Sequence, residues 1–141
     1  MMRDEILAKE PGRGLDAVVA REQGVQCEFV PISDKNAFGG AIFTRAREWV
    51  VDDYVTSPAV SGMCERIDDY STDISAAMPL LDEMLSALDA QDRTWVLHRD
   101  RDKWAVSEMY HDDLIPVATG AEAPEAICKA YLIWRESENG P

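Results

Sequence analysis

The sequence predicts an α+β domain in which helices pack on a mainly antiparallel β-sheet. Three observations carry this. Two segments, 74–88 and 123–134, repeat apolar residues at helical spacing. Between them, residues 93–110 alternate, pass through a charged run and alternate again, as the two arms of a hairpin do. The chain order of helix, strands, helix, strands, helix suggests an α+β sandwich with a mainly antiparallel sheet.

Each element has its own reason. Asp4 to Lys9 reads as a short helical turn around Ile6 and Leu7, stopped by Pro11-Gly12. A second helix runs from about Gly14 to Gln23, with Leu15, Val18, Val19 and Glu22 at helix spacing and Gly24 where a helix stops. Residues 25–30 alternate as a strand, and Pro31 ends it. FGGAIFTRAREWVVDDYV fits a strand pair or a helix. Its β-branched and aromatic content favours strands, with Phe43, Arg45, Arg47, Trp49 and Val51 on one face. Ser71 or Thr72 is expected to cap the next helix, with Asp73 complementing its positive end and Ile74, Met78, Leu81, Leu85 and Leu88 facing the core. Pro79 predicts a kink or a late start. Strands follow at about 93–99 and 103–110, then a shorter one near Leu114–Val117. Ala123-Pro124 opens the last helix, with Ile127, Cys128, Tyr131, Leu132 and Trp134 as a wide apolar face.

The length, 141 residues, suits one domain able to bury a core. Hydrophobic residues make up 46% and charged residues 29%, a globular balance. No apolar run is long enough to cross a bilayer, and the charged N-terminus lacks the apolar core of a secretory signal. Three widely spaced cysteines, Cys27, Cys64 and Cys128, argue against a disulfide framework and fit a reducing cytoplasm. The net charge of −13 is spread over both halves of the chain. Such a field repels nucleic acid and anionic membrane; it keeps the protein soluble and favours basic protein partners.

The tripeptide His98-Arg99-Asp100 matches the start of a kinase catalytic loop. That loop needs an asparagine five residues after the aspartate, and Ala105 stands there. A charged hairpin tip explains the same residues. The paired acids Asp52-Asp53, Asp68-Asp69 and Asp112-Asp113, the last after His111, suggest turns rather than metal ligands. Adjacent residues of a strand point to opposite faces, and aspartate is favoured in turns. His98 and His111 have no ligand spacing, and no serine or cysteine sits in a nucleophile motif. No catalytic residue, metal ligand or cofactor site is therefore expected. One cluster points to binding. On the strand reading Arg45, Arg47 and Trp49 share a face, where two guanidinium groups fit phosphate and an indole stacks on a base. The same residues also suit a solvated edge strand whose arginines meet neighbouring carboxylates.

Three segments, EILAKEPGRGLDAVVA (5–20), DDYSTDISAAMPLLDEM (68–84) and APEAICKAYLIW (123–134), together resemble the phage ABA sandwich domain family. The most specific piece is Tyr70 to Ile74. The chain departs at Met78-Pro79, where the family carries an aromatic and a residue other than proline, and it has a longer middle segment at about 33–66. The resemblance implies an α-β-α sandwich over 1–141, a phage or prophage origin, and no enzyme activity. The matched residues also have architectural readings: Leu15, Val18 and Val19 as core, Arg13 and Asp16 as a pair across one turn, Tyr70 and Thr72 fixing the start of a helix.

The expected function is that of a non-enzymatic accessory protein in the cytoplasm of a host bacterium, acting against host defence. It would sequester a nucleotide-derived immune signal, in a pocket that a homo-oligomer interface could complete. Two alternatives stand beside it: an acidic mimic of nucleic acid that docks on a basic host protein, and a phage structural or packaging accessory.

Overall fold

A computed structural model describes residues 2–24, 27–29, 42–44, 50–51, 54–55, 68–88 and 93–139, with side chains described for 2–12, 14–24, 68–88 and 93–137. Helix α1 (Arg3–Ala8) buries Ile6. Helix α2 (Arg13–Glu22) buries Leu15, Ala17, Val19 and Ala20 and leaves Val18 half-buried against the core. It ends where Gly24 turns at φ +90°, a conformation that glycine adopts without strain.

Strands β1 (Cys27–Phe29) and β2 (Ile42–Thr44) form one antiparallel ribbon, and β3 (Val50–Val51) and β4 (Tyr54–Val55) another. The preference for strands within 42–55 therefore holds for the residues described there.

Helix α3 (Ile74–Ser86) corrects two expectations. Its cap is Asp73, whose carboxylate accepts the Ser75 N–H at 2.9 Å, rather than Ser71 or Thr72. The Ser71 hydroxyl is committed elsewhere, to Asp16 and Gly12. The helix also turns a different face inward. Ala77, Leu80, Leu81 and Met84 are buried, at positions i, i+3, i+4 and i+7. Ile74, Met78 and Leu85 are 43%, 37% and 38% exposed. Both stripes contain Leu81, and the small Ala77 lets α3 pack where bulkier residues were expected. Pro79 lies within the helix, so the start is not delayed to it. It cannot donate to the Ser75 carbonyl four residues back.

Strands β5 (Arg93–Asp100), β6 (Lys103–Tyr110) and β7 (Asp113–Gly120) form an antiparallel sheet in the order β5-β6-β7. Asp100 pairs with Lys103 and Tyr110 with Asp113, so each connection is a two-residue turn. The first residue of each turn, Arg101 and His111, has positive φ, 61° and 56°. The third strand is longer than the 114–117 expected. Pro116 and a register shift at Val106/Ser107 break the alternation that marks a strand in sequence.

Helix α4 (Ala123–Asn139) packs against α1, α2, α3, β6 and β7. Every residue from Ala126 to Leu132 is buried. Trp95, Leu97, Trp104, Val106 and Ala118 join the helices in a single apolar cluster. Strand alternation puts Val96, His98, Ala105 and Ser107 on the opposite face of the sheet. The α+β class with a mainly antiparallel sheet holds. Of the α-β-α layering, the described residues supply the sheet and the helices on one face. None of the described helices is long and apolar enough to cross a membrane.

Candidate functional site

Arg45, Arg47 and Trp49 lie outside the described residues, between β2 and β3. The His98–Lys103 segment is the tip of the β5–β6 hairpin. The Arg99 guanidinium lies 5.3 Å from the centre of the Trp104 ring, its register partner, a cation–π contact that steadies the tip. His111 and Asp112 form the β6–β7 turn, as the Asp-pair reading expects for that site. Among the described residues no three His, Cys, Asp or Glu side chains gather as a metal site. Cys128 is buried, and burial, then the negative charges of Asp16 and Glu125, push its thiol far above the usual range. It is a core residue rather than a nucleophile.

The segments that prompted the family resemblance meet in space through buried polar contacts. Asp16 is fully buried, and its Oδ1 accepts the Ser71 N–H at 2.8 Å and the Ser71 hydroxyl at 2.7 Å. Gly12 N–H donates to Ser71 Oγ at 2.8 Å, tying the start of α2 to the turn before α3. The side chain of Arg13, the expected partner of Asp16, is outside those described. At the other end, Glu125 Oε1 accepts the Ala121 N–H while its Oε2 pairs with Lys129 at 2.6 Å, and Lys129 also donates to the Leu7 carbonyl. Each charge of this buried pair thus has a second hydrogen-bond partner besides the other, which offsets part of the cost of burying it. Tyr70 donates to Gln23 at 3.0 Å. Tyr131 bonds Glu83; burial, then that carboxylate, raises its hydroxyl to about 12. These contacts give the matched residues architectural roles.

A different arrangement remains once these contacts are accounted for. Trp95 is 9% exposed, and its Nε1 is buried with no hydrogen-bond acceptor among the described residues. An indole N–H left dry and unpaired costs free energy, so it marks a place where a partner belongs. Trp95 lines a cavity of about 130 Å³ closed by Leu88 at the end of α3, Trp134 and Ser137 on α4, and Arg93 and Glu108 on the sheet. The fold sets this geometry. Trp95 and Glu108 are direct cross-strand partners, so their side chains leave the sheet side by side on the helix-covered face. Arg93, two residues along the same strand, shares that face and pairs with Glu108. The cleft thus combines two indoles, a guanidinium and a carboxylate, and one of the two indoles has an N–H buried without an acceptor among the described residues. Trp95 and Trp134 read in sequence as ordinary core aromatics. Only the cross-strand register and the unpaired N–H set them apart.

The sequence also gave no sign of a second contact. His98 Nε2 lies 2.8 Å from Ser107 Oγ, and its Nδ1 lies 3.2 Å from the Arg99 carbonyl. A serine held by a positioned imidazole is the first requirement of an activated nucleophile. Ser107 is 1% exposed, however, and presents no hydroxyl to solvent. The contact instead satisfies a buried polar group in the central strand. Comparison with family models, curated proteins and solved structures finds no match for this chain.

Proposed function

We propose that this protein is a non-enzymatic phage or prophage accessory protein that acts in the host cytoplasm by sequestering a nucleotide-derived immune signal, and that the Trp95–Trp134 cleft holds the ring of that ligand. The carrying observation is a small cavity lined by the Trp95 and Trp134 side chains with a guanidinium and a carboxylate beside them. Heterocyclic ligands supply what these groups lack: a planar face for stacking and acceptors for dry donors. The resemblance of residues 5–20, 68–84 and 123–134 to phage domains supports the biological setting. Arg45, Arg47 and Trp49 remain candidates for the phosphate-bearing part of the ligand.

A second reading has its own support. Asp4, Glu5, Glu10, Asp73, Asp82, Asp100, Asp102, Asp112 and Asp113 are all exposed, in a chain of net charge −13. That surface suits docking on a basic host protein, as a nucleic-acid mimic would. The experiment is mass spectrometry of small molecules released by denaturing protein purified from host cells with an active nucleotide-signalling defence. The sequestering reading predicts a nucleotide-type molecule near one per binding site, lost in Trp95→Phe. Protein free of any such molecule, whose effect on the host is abolished by Asp100→Lys with Asp112→Lys, establishes the docking reading instead.

A further inference from the structure

Seven large apolar side chains are exposed among the described residues, and three of them, Tyr110, Leu114 and Ile115, stand at the β6–β7 end of the sheet, 42%, 48% and 51% exposed. Single surface hydrophobics are ordinary, but a contiguous group marks a surface that something covers. The register makes this group contiguous. Met109 and Leu114 are direct cross-strand partners and leave the sheet together on one face. Tyr110 and Ile115, the partners of Asp113 and Glu108, lie on the other face. None of the four belongs to the apolar cluster under the helices or packs on it. The Tyr110 ring stands edge-on to the His111 ring at 4.3 Å, and a tyrosine so placed is a common anchor of protein interfaces. The end of this hairpin is therefore apolar on both faces, and its turn carries two exposed carboxylates, Asp112 and Asp113. Arg93, the register partner of Tyr110, is bonded to Glu108, so those two charges offset each other and the turn keeps its own.

We infer that the β6–β7 end of the sheet is a docking surface for a basic protein, which receives it end-on in a cleft with apolar walls and a floor of lysine or arginine. It rests on the docking reading of the acidic surface and places the contact; it needs no ligand in the Trp95–Trp134 cleft. One wall takes Met109 and Leu114, the other takes Tyr110 and Ile115, and the floor meets Asp112 and Asp113. Charge selects this occupant over the others. A second copy brings its own net charge of −13 against the same turn. Nucleic acid and anionic membrane are repelled by the two carboxylates. A partner strand added along β7, an edge of its sheet among the described residues, is opposed by Pro116, which has no N–H to offer. Side chains at the hairpin end, rather than the strand backbone, therefore carry the contact. Their burial supplies affinity, and the complementary charges speed encounter and exclude wrong partners.

The test is photo-crosslinking of the full chain in host cells, with p-benzoylphenylalanine in place of Leu114 in one sample and of Asp102, on the β5–β6 turn, in another. The expected result is a host protein joined through position 114 and not through 102. That protein is then purified and titrated with the parent chain. Leu114→Ser with Ile115→Ser should weaken binding by about ten-fold or more, the loss that an interface anchor shows. Asp112→Lys with Asp113→Lys should do the same and should flatten the fall of affinity with added salt. Asp100→Lys with Asp102→Lys should leave binding unchanged. All six side chains are exposed, so these changes spare the core. Should a variant fold poorly, hydrogen exchange of the parent complex decides: protection gained over 109–115 supports the surface, and protection gained only elsewhere overturns it. A crosslink from position 102 alone, or a captured protein that binds the Leu114→Ser, Ile115→Ser chain as tightly as the parent, overturns this surface and leaves docking standing. A crosslink from position 114 only to a second copy or to lipid overturns the basic partner. No crosslink from either position, with the effect on the host intact in Asp112→Lys, Asp113→Lys, overturns the docking reading as well.

Discussion

Ser71 shows how one small side chain joins distant parts of the chain. Its hydroxyl donates within 2.7 Å of Asp16 Oδ1 and accepts the Gly12 N–H, while its own N–H donates to the same carboxylate. Ser71→Ala strands part of the bonding capacity of a buried carboxylate and leaves the Gly12 N–H without its acceptor. The expected cost is about 1–3 kcal/mol, read from urea unfolding. A midpoint equal to that of the parent chain would mean that water replaces the hydroxyl. Tyr131 gives a pH signature. Its hydroxyl ionises near 10 in an unfolded chain and about 12 here, for burial and the Glu83 carboxylate both oppose the phenolate. Between those values the unfolded chain has released a proton that the folded chain keeps, so unfolding gains as pH rises. The contribution is whole below pH 10 and is lost as pH climbs through about 12. Denaturation midpoints taken from pH 9 to 12 should fall more steeply for the parent than for Tyr131→Phe. Parallel curves would place the hydroxyl in water.

Among the elements, α3 is the sharpest case, because its sequence allows two apolar stripes. The described packing buries Leu80, Leu81 and Met84 and leaves Leu85 38% exposed. Leu81→Ala should therefore cost roughly 2–5 kcal/mol. Leu85→Ala should stay within about 0.5–1 kcal/mol, near the range for surface changes. Paired thermal melts check both, and equal losses would return the helix to the face that its sequence suggests. The close approach of β7 to α4 is a second case. A Cβ on Gly120 would lie 2.8 Å from the Ala126 backbone nitrogen, so Gly120→Ala must push the helix off the sheet. A clear drop in melting temperature is expected, and an unchanged one would show that the two elements part easily. Much of this level was legible in sequence. The β5–β6 hairpin announces itself through alternation around Arg99–Lys103, and α4 through its apolar run. The inward face of α3 was not legible, since 3.6-residue spacing permits both stripes and only packing on α4 chooses between them. The full length of β7 was hidden by Pro116 and the register shift beside Ser107.

For the whole molecule, two features bear on function: carboxylates exposed around the surface, and a small cleft lined by two indoles, a guanidinium and a carboxylate. The charge was plain in the composition. The cleft was not, because Trp95, Glu108, Arg93 and Trp134 acquire meaning only from the register of β5 on β6 and the position of α4. Sequence reasoning instead singled out Arg45, Arg47 and Trp49, where alternation puts basic and aromatic residues together without reference to any tertiary contact. The central claim is that a ligand ring occupies the cleft beside Trp95 and Trp134. It is tested most directly by ¹⁵N–¹H correlation spectra of the indole groups during titration with uridine, cytidine, adenosine and guanosine in turn. The chain has four tryptophans, so four indole signals are expected, and Trp95→Phe identifies the one from Trp95. The account predicts that this signal moves saturably as at least one of the nucleosides is added and that the Trp134 signal moves with it. A Trp95 signal that stays fixed through an excess of all four nucleosides would contradict it.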